Sequence, residues 1–267
     1  SRYINGVEDQ LGTRLFNRTS RKLSLSDAGE IFYHHSNAIL QQMRDLQQEI
    51  AARQDQPAGV LRVRAMMMVG VTFIAEAVAE FHQAYPEITV DLTLSNESVD
   101  IVEENIDVDI RVGYLADSSM IARKLLGSRR ELCATPEYLA KFPAIEVPED
   151  LRGLNCLAYR TNRGPVTWKF RDPAGELSEV PVSGSLVTNS GDILLTLVRS
   201  GAGVGLLPDW AIEKDVAARR LVRVLDDYSV SFAEFENDIY AVYSSGRYLP
   251  ARTRVFLDFL AGFFRRG

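Results

Sequence analysis

The spacing of apolar residues changes period three times along these 267 residues. Ile4, Val7 and Leu11 recur at steps of three and four, which predicts the back half of a helix over residues 1–11. Gly12 stands where such a helix would stop. More chain is therefore expected ahead of Ser1. Two short apolar alternations follow, Leu15/Phe16 and Leu23/Leu25. They predict a hairpin in which 14–16 and 22–25 are the strands and the polar residues 17–20 make the turn. Ser26 then caps a second helix and places Asp27 and Glu30 in its positive first turn. That helix is predicted over 27–54. Ile39, Met43, Leu46 and Ile50 form its narrow seam, and Ala28 and Phe32 extend it upstream. So long a helix with so narrow a stripe predicts pairing with a second helix. The stretch QDQPAG ends it as a linker.

From Gly59 the pattern alternates between strand and helix. Strands are predicted at 60–66, 88–95, 108–113, 121–126, ELCAT, CLAYR, VGLLP and 239–245. Helices are predicted at 73–85, 99–104, PEYLAKF, 192–201, DWAIEKDVAAR and 253–264. Alternation with short connections predicts an α/β fold with mostly parallel sheets and helices on their faces. Roughly 210 residues of it predict two lobes.

Charge changes this picture at one end. The chain carries a net charge of −6. Residues 1–25 nevertheless hold Arg2, Arg14, Arg18, Arg21 and Lys22 against only Glu8 and Asp9. A basic end on an acidic body points to a polyanion gripped by that end alone. The alternative for Arg14 is an ion pair with Glu8 or Asp9. No apolar run reaches the length of a membrane span, and the opening residues lack the pattern of a signal peptide. Cys133 and Cys156 sit among apolar residues without CxxC spacing, which predicts buried, reduced thiols in a cytoplasmic protein.

Candidate chemistry is sparse. His34, His35 and His82 lie near no nucleophile motif, and neither a metal-ligand pattern nor a cofactor site emerges. GAGVG at 201–205 lacks the third glycine of a dinucleotide fingerprint. It also leads from a helix into a strand, the reverse of a phosphate loop. Gly201 is better taken as a helix stop, with Gly203 and Gly205 in close packing. Small polar residues do recur after predicted strands: Ser95-Asn96, Gly113, Thr161-Asn162 and Thr188-Asn189-Ser190. In open α/β sheets that edge is where small ligands bind, although strand ends and helix caps share the same composition.

Taken in order, SRYINGVEDQLGTRLFNRTSRKLSLSDAGE resembles the recognition-helix end and wing of the LysR-type transcriptional regulators. GVLRV, EFHQAYPEITVDL, VEENIDVDIRVG, ELCATPEYL, GAGVGLLPDW and YAVYSS resemble the body of the same family. The resemblance implies three parts. Residues 1–26 would be the C-terminal part of a winged helix-turn-helix, and 27–57 a dimerising linker helix and hinge. Residues 58–267 would be a two-lobed effector domain like periplasmic solute-binding proteins, with lobe I at 58–129 and 235–267 and lobe II at 130–234. Ser1, Arg2, Arg18, Ser20, Arg21 and Lys22 would approach double-stranded DNA. Met67, Met68, Gly70, Thr72, Ser95, Asn96, Gly113, Thr161, Asn189, Ser190 and Gly205 would surround a small-molecule effector between the lobes. The run Met66-Met67-Met68 replaces the small or hydroxyl residues usual there. It points to an apolar cleft for an organic or aromatic carboxylate, unless these side chains enter the lobe I core. The resemblance further implies a homodimer, a homotetramer built from dimers, RNA polymerase as a partner, and no catalytic residue. The rival reading is a solute-binding or transport-accessory protein of the same fold, which leaves the basic hairpin and the seam unexplained.

Overall fold

Glycine and serine set the N-terminal boundaries in the computed structural model, which describes residues 2–19, 22–51, 57–97, 99–113, 120–160, 165–245 and 249–266. For residues 2–3, 18–19, 22–23, 45 and 47–51 it describes the backbone alone. Helix α1 (Arg2–Leu11) ends at Gly12, whose φ of +65° suits glycine. Strands β1 (Phe16–Thr19) and β2 (Lys22–Leu25) pair antiparallel, with Phe16 opposite Leu25. The Glu8 carboxylate accepts the N–H groups of Leu15 and Phe16 and so ties α1 to the hairpin. Helix α2 (Asp27–Ala51) starts at Ser26, whose hydroxyl accepts the Gly29 N–H and donates to the Arg14 carbonyl. A Cβ on Gly29 would lie 2.0 Å from the Leu15 carbonyl oxygen, so only glycine lets the helix start against the hairpin.

The following chain builds one five-stranded sheet. Strand β3 (Gly59–Ala65) leads into a short helix α3 (Met67–Val69), a π-turn (Gly70–Ile74) and α4 (Ala75–Ala84). Strands β4 (Ile88–Leu94), β5 (Val108–Val112) and β6 (Met120–Leu126) come next. The chain then leaves for a second sheet, whose elements are β7 (Arg130–Ala134), α5 (Pro136–Leu139), β8 (Cys156–Tyr159), β9 (Val166–Arg171), β10 (Leu177–Val182), β11 (Val187–Thr188), α6 (Gly191–Arg199), β12 (Val204–Pro208), α7 (Asp209–Ala217), β13 (Val222–Val224) and β14 (Ser229–Ser231). It returns as β15 (Ile239–Ser244) and α8 (Ala251–Arg266). The first lobe has strand order β4-β3-β5-β15-β6, and the second β11-β8-β12-β7-β13 with a small sheet β10-β9-β14 beside it.

Mostly parallel sheets are predicted by the sequence pattern, and the structure corrects this. In each five-stranded sheet two pairings are parallel and two antiparallel. The cause is the crossing of the chain between lobes. A strand that enters a lobe from the other one, β7 or β15, must run against strands that point out towards it. The predicted helix at 99–104 is also absent. The Asp100 carboxylate accepts the N–H groups of Val102 and Glu103, and Asn105 takes a φ of +54°, which closes a single turn.

Alternation along the central strands fills two cores in the second lobe. Leu132, Ala134, Cys156, Val204 and Leu206 point to one face. Cys133, Leu157 and Leu207 point to the other, beneath α6. Both faces are covered, so VGLLP is buried at every position. Burial pushes the thiols of Cys133 and Cys156 up to about 12, so both stay protonated. The first lobe centres on Phe81, which meets Phe256 edge-on at 5.0 Å and so joins α4 to α8.

Candidate functional site

Strands β3, β4 and β5 of the first lobe and β8, β11 and β12 of the second all end at one crevice. This is the place where parallel strands leave room for a ligand. The cleft has a volume of about 920 Å³. Met66, Met68, Asn96, Arg111 and Gly113 line it from the first lobe, and Tyr159, Asn189, Leu194 and Trp210 from the second. The returning crossover adds Phe232, Glu234, Glu236 and Asn237.

Its floor is a stack. The Arg130 guanidinium lies 4.0 Å from the centre of the Phe232 ring. Phe232 in turn stacks on Tyr159 at 5.1 Å with 18° between ring planes. Arg130 Nε donates to Asn237 Oδ1 at 2.9 Å, which fixes the plane of the guanidinium. Burial lowers the pKa of Arg130 to about 10, opposed by Tyr159, so it remains a cation at neutral pH. Burial likewise raises the Tyr159 hydroxyl, which stays protonated. A second cation, Arg111, sits on β5. Its Nη1 is 3.5 Å from Asp109, and Asp109 is bound at 2.9 Å by the buried Arg64. Burial raises the Asp109 carboxyl against the opposing pull of Arg64 and Arg111. One buried carboxylate thus faces two guanidiniums, and Arg111, Arg130 and Arg160 share the cleft lining with Glu97, Glu234 and Glu236.

The lobes also touch. Met68 leaves the first lobe and packs on the core of the second, beside Gly191. Trp210 does the reverse. It meets Phe73 at 5.0 Å in the first core. Asn96 spans the gap between them. Its Oδ1 accepts the Met67 N–H, and its Nδ2 donates to the Asn189 carbonyl.

Of the residues that the resemblance implies for an effector, Met68, Asn96, Gly113 and Asn189 line the cleft. Gly113 has a φ of +84°. Met67 is exposed outside it, and Thr72 lies on the exposed side of the π-turn. Gly70 is buried against Leu94, where a Cβ would come within 2.3 Å. The reason is that 67–74 is helical rather than a loop, so its side chains fan out around an axis and only some face the cleft. Ser95 is turned into its own loop, where its hydroxyl accepts the Glu97 N–H. Ser190 caps α6. Gly205 is inside β12, where a Cβ would meet Val198 at 2.5 Å. Gly203 is held as closely by the Asn155 carbonyl. Thr161 lies outside the described residues. Arg111, Arg130, Tyr159 and Phe232 escape sequence reasoning. A charge between Ile and Val in VDIRVG was the available signal for Arg111.

At the other end, Arg18 and Lys22 stand on β1 and β2, at neighbouring levels of the hairpin ladder, and Arg2 opens α1. Ser1, Ser20 and Arg21 lie outside the described residues. The α2 seam is uncovered: Ile39, Met43 and Leu46 are 59%, 56% and 57% exposed. Among the described residues no cluster of His, Cys, Asp and Glu could hold a metal ion, and no helix is long and apolar enough to cross a membrane.

A family model described as the LysR substrate binding domain matches residues 54–265. The HTH-type transcriptional regulator CrgA of Neisseria meningitidis serogroup C (strain 8013) is 34% identical over 260 residues, covering 97% of this chain and 85% of that protein. The HTH-type transcriptional activator TtdR of Escherichia coli (strain UTI89 / UPEC) is 34% identical over 261 residues, covering 97% and 82%. Among solved structures, CrgA from Neisseria meningitidis, a LysR-type transcriptional regulator, superposes with a TM-score of 0.69 at 33% identity over 98% of this chain and 88% of that one. The Vibrio cholerae virulence activator AphB, a member of the LTTR protein family, gives 0.69 at 30% identity over 98% and 88%.

Proposed function

The chain belongs to the LysR-type transcriptional regulators, and from that premise we propose that it holds an organic carboxylate, with an aromatic or otherwise apolar body, in the cleft between its lobes. The observation that carries this reading is the floor of the cleft: a fixed guanidinium, Arg130, over the ring of Phe232, which itself stacks on Tyr159. A carboxylate suits the fork of an arginine, and an apolar body suits Met66, Met68 and Leu194. Met68, Asn96, Gly113 and Asn189 complete the contact set.

Residues 1–26 act as the wing side of a DNA-binding domain, with Ser1, Arg2, Arg18, Ser20, Arg21 and Lys22 facing double-stranded DNA. Residues 27–57 act as the linker, whose exposed seam pairs two copies, and 58–267 as the two-lobed effector domain. Dimers pair again as tetramers, the protein works in the cytoplasm and meets RNA polymerase there, and its role is not catalytic. Regulation is a population shift. A ligand that prefers the closed cleft closes the lobes and alters the spacing of the paired DNA-binding ends. The experiment is a thermal-shift screen of small carboxylates on the complete protein, because a ligand bound only by the folded state raises its melting temperature. Apolar carboxylates are expected to stabilise it, and Arg130→Gln to weaken them about tenfold or more. Stabilisation by small, strongly polar compounds only would overturn the reading.

A further inference from the structure

A second cavity lies behind the cleft, in the lobe of β7–β14, with a volume of about 380 Å³. Arg129, Arg130, Arg171 and Arg223 line it, against Glu131, Asp226 and Asp227. The arrangement of these charges matters more than their number. Glu131 is 8% exposed and serves both Arg129, at 2.7 Å, and Arg223. The Arg171 guanidinium lies 4.3 Å from the centre of the Phe235 ring. Among the described residues neither Arg130 nor Arg171 is within ion-pair distance of a carboxylate. Asp226 and Asp227 are exposed on the turn between β13 and β14, where solvent screens them. Arg129 and Arg171 are exposed as well, so the sheltered part of the cavity sets Arg130 and Arg223 against Glu131 alone, an excess of positive charge.

We propose that this cavity is a second binding site, for a small metabolite carrying two or more negative charges as phosphate or carboxylate groups. Arg171 contacts the ligand with a guanidinium that no carboxylate pairs, and Arg129 turns to it from Glu131, which keeps Arg223 as its partner. Guanidinium groups supply paired N–H donors for such oxyanions. The volume exceeds that of a bare inorganic anion and suits a compact organic acid. The site stands apart from the cleft reading but is wired to it. Arg130 and Asn237 line both cavities, and their 2.9 Å hydrogen bond crosses the wall between them. Phe232 faces the cleft and Phe235 the second cavity, on one crossover segment. An occupant of the rear cavity thus bears on the segment along which the lobes hinge.

Calorimetric titration of the complete protein with citrate and, separately, with inorganic phosphate tests this. Saturable binding of either is expected. Binding of phosphate alone identifies a phosphorylated ligand, and binding of citrate alone a polycarboxylate. Arg129→Gln with Arg171→Gln should weaken it about tenfold or more, while Arg266→Gln on α8 of the first lobe leaves it unchanged. Hydrogen exchange on the unaltered protein gives an independent readout, with protection expected at 129–131 and 223–229. The proposal is overturned if neither anion saturates at millimolar concentration. It is equally overturned if the double variant titrates like the unaltered protein, or if protection is confined to 66–69 and 189–194.

Discussion

Asn96 joins the two lobes through Asn189: its side-chain amide donates to the Asn189 carbonyl at 2.8 Å while its Oδ1 holds the Met67 N–H at 3.0 Å. One side chain thereby couples the start of α3 to the loop before α6. Asn96→Ala removes both bonds at a partly exposed site, for a cost of about 1 kcal/mol. Faster hydrogen exchange at 66–69 and 189–191, with the core strands β5 and β12 unchanged, is the expected signature of looser closure.

Met67 and Met68 are neighbours with opposite roles. Met68 packs on the core of the second lobe, and Met67 is 40% exposed. Met68→Ala should cost about 1–2 kcal/mol, less than full core burial because the site is only partly enclosed. Met67→Ala should fall within about 0.5 kcal/mol of the unaltered protein. Paired denaturant melts decide this.

Asp215 on α7 binds Arg199 of α6 and Arg220, each at 2.7 Å. Burial alone would raise its carboxyl, but the two arginines together outweigh it and hold it below the usual carboxylate range. A depressed carboxyl stabilises the fold above its unfolded value, about 3.9, and this contribution is lost as pH falls through the lower folded value. Asp215→Asn should therefore lower stability at neutral pH by about 1–2 kcal/mol, discounted because both guanidiniums are half exposed. It should also flatten the loss of stability below about pH 4. Melting temperatures across the acid range check both.

The α2 seam is exposed in a single chain, and its proposed partner is the seam of a second copy. Leu46→Glu places a charge in that seam. Sedimentation should show a shift towards monomer, with melting of the two-lobed domain unchanged.

Local signals carried most of the elements into view. The hairpin, the Ser26 cap and the seam of α2 each depend on residues a few positions apart, where propensity and capping act. The site was harder. Asn96, Gly113 and Asn189 were visible because strand ends favour small polar residues. Arg130, Phe232 and Tyr159 come from a strand start, a crossover and a strand end that meet only once β7, β8 and the returning segment are placed. Met67, Gly70 and Thr72 lie outside the cleft lining for a local reason. A Met-rich stretch beside a strand looks like a loop, whereas here it begins a helix, which turns each side chain 100° from the last.

Filling the cleft is proposed to change how the protein holds DNA. Footprinting on the DNA upstream of its own gene, with and without a carboxylate that raises its melting temperature, tests this most directly. A changed footprint is expected for the unaltered protein and an unchanged one for Arg130→Gln at the same ligand concentration. An identical footprint with the cleft demonstrably occupied would contradict it.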